Sequence, residues 1–178
     1  MRRISLEENM ENMWSTWRSQ YIESLNKPKS DDEHCVFCSA GKEDVSDPHS
    51  LVVDKQEFTF TVLNLYPYNN GHLMVIPYRH TCEFLSLTPD ENREIMASLQ
   101  LAAEALKLVS KPDGFNVGAN IGKVGGAGIA DHLHFHIVPR WNGDTNFMPV
   151  IGEVKVLSQD LSKTKQLLVE AFAKLRAR

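Results

Sequence analysis

Three histidines, His132, His134 and His136, alternate with Leu133 and Phe135. In extended chain, side chains leave alternate faces, so the three imidazoles share one face and Leu133, Phe135 and Ile137 share the other. Residues two apart on a strand lie about 6.6–6.8 Å apart. Imidazole serves as a nucleophile, a general acid or base, or a metal ligand. A lone histidine on an apolar strand is usually a satisfied core residue. Here three of the chain's seven histidines fall within five positions, which points to a site that handles an anion, a metal or both. The run is not the helical zinc arrangement, which places two histidines at i and i+4. It is also neither terminal nor contiguous, so it is not a purification tag.

Two further groups bear chemistry. Just before the histidines, Gly122, Gly125, Gly126 and Gly128 fall within seven residues. Such a loop can turn several backbone N–H groups toward one anion, though on its own it reads equally well as a connector. Upstream, Cys35 and Cys38 form a C-x-x-C pair, a zinc half-site. The other two ligands must come from elsewhere: His34, His49, His72, His80, Cys82 and the strand histidines are all candidates, and spacing does not choose among them. A redox dithiol and two buried apolar cysteines are the alternatives. A thioredoxin-like pair would follow a strand and open a helix, whereas this one follows a polar linker.

The elements that must position these groups are readable in outline. Residues 5–24 carry Trp14, Trp17, Tyr21 and Ile22 at helical spacing. A turn-rich linker runs from Asn26 to Glu33. Residues 51–54 and 57–65 read as strands, the second with Phe58, Phe60 and Val62 alternating with threonines. A turn spans Tyr66 to Gly71, and His72–Pro77 is another strand. Thr88, Pro89 and Glu91 have the form of a capping box that opens a helix to about Ser110, with Ile95, Leu99, Ala102, Leu106 and Val109 on one stripe. Strands follow at 115–120 and about 131–139, then a helix at about 158–176. Short links among the strands favour an α+β fold, an antiparallel sheet with helices on one side, over a doubly wound sheet.

Composition sets bounds. A chain of 178 residues suits one domain with a sizeable core. The net charge of −4 comes without a block of like charges, which argues against binding a nucleic-acid polymer but leaves a nucleotide open. No run of 18 apolar residues or signal-peptide core is present, so no membrane partner is expected and the cytoplasm is the expected location. Three cysteines do not make a disulfide framework.

His132-Leu133-His134-Phe135-His136-Ile137-Val138, followed by Pro139 and Arg140, resembles the H-x-H-x-H signature of the histidine-triad (HIT) superfamily. Upstream, Asn64, the run Gly71–Pro77 and His80 are similar to that family's ribose-contact strand, G-H strand and P-x-x-H turn. The likeness spans roughly residues 35–145. The glycine loop, Trp141 and the segment Gly143–Phe147 most resemble the bacterial branch of diadenosine tetraphosphate phosphorylases and hydrolases.

The resemblance implies a single HIT domain: residues 1–30 as a helical extension, 35–145 as a core with a five-stranded antiparallel sheet, and 158–176 as a terminal helix. It implies that His134 is the nucleophile and forms a nucleotidyl-imidazole intermediate at an α-phosphorus. His136 would hydrogen-bond near the scissile phosphate. Asn64 would contact ribose, and Asn120, Gly126, Ala127 and Gly128 would bind phosphate. Cys35, Cys38, His80 and His132 would hold a structural zinc. The expected substrate is a dinucleoside polyphosphate, and the expected assembly a homodimer or larger homo-oligomer. One departure is Gly128, where the phosphorylase pattern has a serine whose hydroxyl would help bind inorganic phosphate. An adenosine phosphoramidate hydrolase and a zinc-stabilised nucleotide-binding protein without turnover are the other readings. Trp141 suits base stacking or packing equally.

Overall fold

A computed structural model describes residues 35–145 and 160–177. The helix expected at 5–24, the linker at 26–33 and the start of the expected terminal helix fall outside them. Within them, α1 (Val36–Ala40) precedes β1 (Val52–Lys55), β2 (Thr59–Leu63) and β3 (Leu73–Pro77). Then come α2 (Pro89–Ser110), β4 (Gly114–Ala119), β5 (Phe135–Arg140) and α3 (Leu161–Arg176). The strands form one sheet in the order β1-β2-β3-β5-β4, and every neighbouring pair is antiparallel.

The sheet is covered on both faces where it matters. β2 and β3 are buried at every position, so they read as nearly continuous apolar runs. Leu63, Leu73, Val75 and Ile137 point to the face covered by α2 and α3. Val62, Met74 and Ile76 point to the opposite face, where they pack with Phe37 of α1. The long helices thus lie on one side, as expected, and the short α1 covers part of the other.

Local signals explain the helix bounds. Thr88 accepts from the Glu91 N–H, and the Glu91 carboxylate accepts from the Thr88 N–H, so the capping box forms and α2 runs over the expected residues. Asp160 accepts from the N–H groups of Ser162 and Lys163, which caps α3 ahead of Leu161.

The histidine segment differs from expectation. Regular pairing begins at Phe135, so His132 and His134 precede β5. The Leu133 N–H donates instead to the Thr81 carbonyl at 2.7 Å, outside the sheet ladder. This tethers the segment to the turn that carries His80.

Candidate functional site

The triad divides between two places. His132 turns toward the cysteines, while His134 and His136 line a cavity on the α1 face of the sheet. The expected alternation holds: Leu133, Phe135 and Ile137 pack in the core under α2 and α3, while the rings of His132 and His134 both contact Phe37 on the opposite face.

At His134, Nδ1–H donates to the His132 carbonyl at 2.9 Å. That bond assigns the tautomer and leaves Nε2 with its lone pair. The ring is 5 % exposed and lies 5.0 Å from the ring of Phe37, centroid to centroid. Burial holds its pKa below the ordinary imidazole value, against the opposing pull of the His132 carbonyl. The neutral, nucleophilic form is thus favoured.

His136 lies on β5 opposite Met74 and Gly118. Its orientation comes from a chain of bonds. The Tyr68 N–H donates to His72 Nδ1 at 3.0 Å, so the His72 proton sits on Nε2 and is donated to His136 Nδ1 at 2.9 Å. His136 consequently carries its own proton on Nε2, as a donor. His72 is fully buried. Sequence reasoning listed His72 among metal candidates and missed this role. His72 directly follows Gly71, whose positive φ of 77° ends the turn that presents the Tyr68 N–H.

Asn64, Asn120 and Gly128 also line the cavity, which measures about 460 Å³. That lies within the range of roughly 300–1,000 Å³ usual for small-molecule sites. Val36, Phe37, Val62 and Ile129 give it apolar walls. Asn64 Oδ1 accepts from the Tyr66 N–H, and its amide reaches His72 Nδ1 at 3.2 Å. Gly126 and Ala127 are brought near but do not line the cavity. Their N–H groups donate to the Lys123 and Gly122 carbonyls, and Asn120 Nδ2 donates to the Gly126 carbonyl. They shape the loop, and Gly128 brings it to the cavity. Trp141 is not at the cavity: its indole N–H donates to the Ser110 carbonyl at the end of α2.

The second cluster gathers Cys35, Cys38, His80 and His132, whose ligand atoms all lie within 4.8 Å of one another. His132 Nδ1 lies 3.4 Å from Cys35 Sγ and 3.6 Å from Cys38 Sγ, and His80 Nδ1 lies 3.3 Å from Cys38 Sγ. Bonds of ~2.3 Å to sulfur and ~2.0 Å to nitrogen place tetrahedral S···N edges at about 3.5 Å, so the cluster fits a tetrahedral metal ion. The His132 Nε2–H donates to the Pro77 carbonyl at 2.9 Å, which fixes the tautomer with Nδ1 free to ligate. This use of His132 also removes the alternative of a catalytic metal held by all three triad histidines.

A family model described as the HIT domain matches residues 46–143. An AP-4-A phosphorylase of Mycobacterium tuberculosis is 40% identical over 175 residues, covering 97% of this chain and 90% of the relative. An adenosine 5'-monophosphoramidase of Saccharomyces cerevisiae is 26% identical over 151 residues, covering 85% of this chain and 89% of its own. Among solved structures, a Zn-bound histidine triad family protein from Mycobacterium smegmatis superposes with a TM-score of 0.66 at 28% identity. That match covers 83% of this chain and 99% of the other. No described helix is long and apolar enough to cross a membrane.

Proposed function

The chain belongs to the HIT domain family, and we propose that it cleaves dinucleoside polyphosphates such as diadenosine tetraphosphate by nucleotidyl transfer through His134. The observation that carries this reading is the bond from His134 Nδ1–H to the His132 carbonyl, which leaves Nε2 as a buried nucleophile at the cavity. In the first step Nε2 attacks an α-phosphorus and the P–O bond to the rest of the phosphate chain breaks. With diadenosine tetraphosphate, ATP leaves and AMP stays on the imidazole. In the second step the P–N bond breaks as an acceptor oxygen attacks: water gives AMP, and phosphate gives ADP. Splitting one difficult displacement into two is the gain of covalent catalysis.

The remaining residues have supporting roles in this reading. The His136 Nε2–H donates to a phosphate oxygen, where it stabilises charge that develops at phosphorus. Asn64 contacts ribose. Asn120 and Gly128 bind phosphate, and Gly126 and Ala127 hold the loop that carries Gly128. Zinc at Cys35, Cys38, His80 and His132 acts structurally, because four protein ligands leave no open position. The Zn-bound histidine triad family protein among the structural neighbours supports that choice of metal. The mycobacterial relative supports phosphate as the acceptor, although Gly128 offers no hydroxyl. The reading includes a cytoplasmic location, in keeping with reduced cysteines and nucleotide substrates. It also includes a homodimer or larger assembly, for which the exposed edge strand β4 is a natural seam.

Adenosine phosphoramidate hydrolysis is a second reading, favoured by the yeast relative and served by the same imidazole. Incubation with diadenosine tetraphosphate, with and without inorganic phosphate, separates the outcomes. ADP plus ATP marks phosphorolysis, and AMP plus ATP marks hydrolysis. No cleavage under either condition, with turnover of an adenosine phosphoramidate, would replace the first reading by the second.

A further inference from the structure

One row of residues crosses the sheet from His136 to the edge strand β1. His136 lies opposite Met74, Met74 opposite Val62, and Val62 opposite Val52. Three inter-strand steps of ~4.8 Å make this row about 14 Å long. That is the scale of a nucleoside monophosphate from its phosphorus to the outer edge of its base. Met74 and Val62 are apolar, line the cavity and pack on the Phe37 side, a floor suited to the face of a heteroaromatic ring, while Val52 continues the row fully buried.

Glu43 and His49, on the loop that leads into β1, line the same cavity. Among the described residues, the Glu43 carboxylate has neither a hydrogen bond nor an ion pair. The loop itself is held in place. The Glu43 N–H donates to the Ala40 carbonyl at 3.0 Å, and the His49 N–H donates to Asp47 Oδ1 at 2.8 Å. The buried Lys165 of α3 donates its Nζ–H to the Asp47 carbonyl.

We propose that Glu43 and His49 read the edge of the nucleobase and favour bases that present an exocyclic amino group beside a ring-nitrogen acceptor, adenine above hypoxanthine. The proposal rests on the nucleotide-cleaving reading of the same cavity. A carboxylate only accepts, so it pairs with an amino N–H; an imidazole always carries at least one N–H to give to a ring nitrogen. A 6-oxopurine reverses the pattern, setting a carbonyl oxygen against the carboxylate and a ring N–H where an acceptor is needed. Such mismatches discriminate more strongly than missing apolar contacts do.

The test compares diadenosine with diinosine tetraphosphate as substrates, and AMP with IMP as ligands by calorimetry, using the full-length wild type and Glu43→Gln. The wild type is expected to favour the adenine compound by about tenfold in kcat/KM and in affinity, the low end for a charge-assisted hydrogen bond. The difference should reside in KM. Glu43→Gln should narrow both ratios to within about threefold while leaving kcat and Tm unchanged, because the exposed side chain supports no other contact. Equal handling of both bases by the wild type, or an unchanged ratio in Glu43→Gln, overturns the proposal. If neither tetraphosphate is cleaved but AMP outbinds IMP and Glu43→Gln erases the preference, base reading stands and nucleotidyl transfer falls. If neither mononucleotide binds, both fall.

Discussion

The two cavity histidines are neighbours with different tautomers, and backbone groups set both. A carbonyl acceptor at Nδ1 makes His134 a base at Nε2, while a donor at Nδ1 makes His136 a donor at Nε2. An imidazole with a free lone pair and one with a free N–H thus sit side by side, with ring centroids 4.9 Å apart. Replacing His134 by Ala should lower kcat by roughly 10⁴-fold or more, the scale of losing a nucleophile. Nucleotide affinity, measured by calorimetry, should remain within a few-fold. Replacing His72 by Phe removes the donor that orients His136. We expect kcat to fall about 10–100-fold with little change in KM, as for other supporting hydrogen bonds at reactive groups; a rise in KM alone would assign His72 to binding instead. His134 was legible from spacing and resemblance. The His72 relay was not, because it depends on the register that sets Met74 opposite His136, and a single sequence does not display cross-strand partners.

Among the elements, α2 carries a second duty at its N-terminus. Glu91 closes the capping box and also accepts from Arg79 Nε and Nη2 at 2.8 and 2.7 Å. Arg79 directly precedes His80, so the helix start and the metal-cluster turn share one ion pair. That pair holds the Glu91 pKa down to about 2. Because the folded value lies below the ordinary 4.5, the stabilisation is fully present above pH 4.5 and is lost as pH falls toward about 2. Glu91→Gln should therefore destabilise the protein at pH 7 by about 1–2 kcal/mol, a figure tempered by the solvent exposure of Arg79. The gap between variant and wild type should close in urea melts as pH drops through that window, and a gap unchanged at pH 3 would remove Glu91 from this role. The capping box made α2 readable to the residue. The five-residue α1 was not readable: it is too short for periodicity, and its N-cap Cys35 makes no side-chain capping bond. The start of β5 was placed too early because alternation of residue types does not reveal that the Leu133 N–H goes to Thr81.

For the molecule as a whole, the cysteine–histidine cluster acts as a clasp. It joins α1, the turn after β3 and the segment before β5, residues separated by 42 to 97 positions in the chain. α1 and the segment before β5 also line the cavity, and the turn after β3 holds that segment through the Leu133 N–H, so an ion in the cluster would steady the cavity wall. Cys38→Ser, or prolonged chelation, should release about one zinc per chain and lower Tm by roughly 10 °C, equivalent to about 3 kcal/mol at this size. Metal analysis finding no zinc in the carefully prepared wild type would retire that choice of ion. C-x-x-C announced half of this clasp. The other half was one set among several, since the fold, not the spacing, brings His80 and His132 to the thiols.

The central claim is a bond between His134 and phosphorus. The direct measurement is to mix enzyme with diadenosine tetraphosphate, quench within the first turnover under conditions that preserve P–N bonds, digest, and sequence the peptides by mass spectrometry. The expected result is an AMP adduct on His134 that disappears when phosphate or water is given time to act, and that never forms in His134→Ala. Steady cleavage with no adduct at any quench time, or an adduct on another side chain, would contradict it.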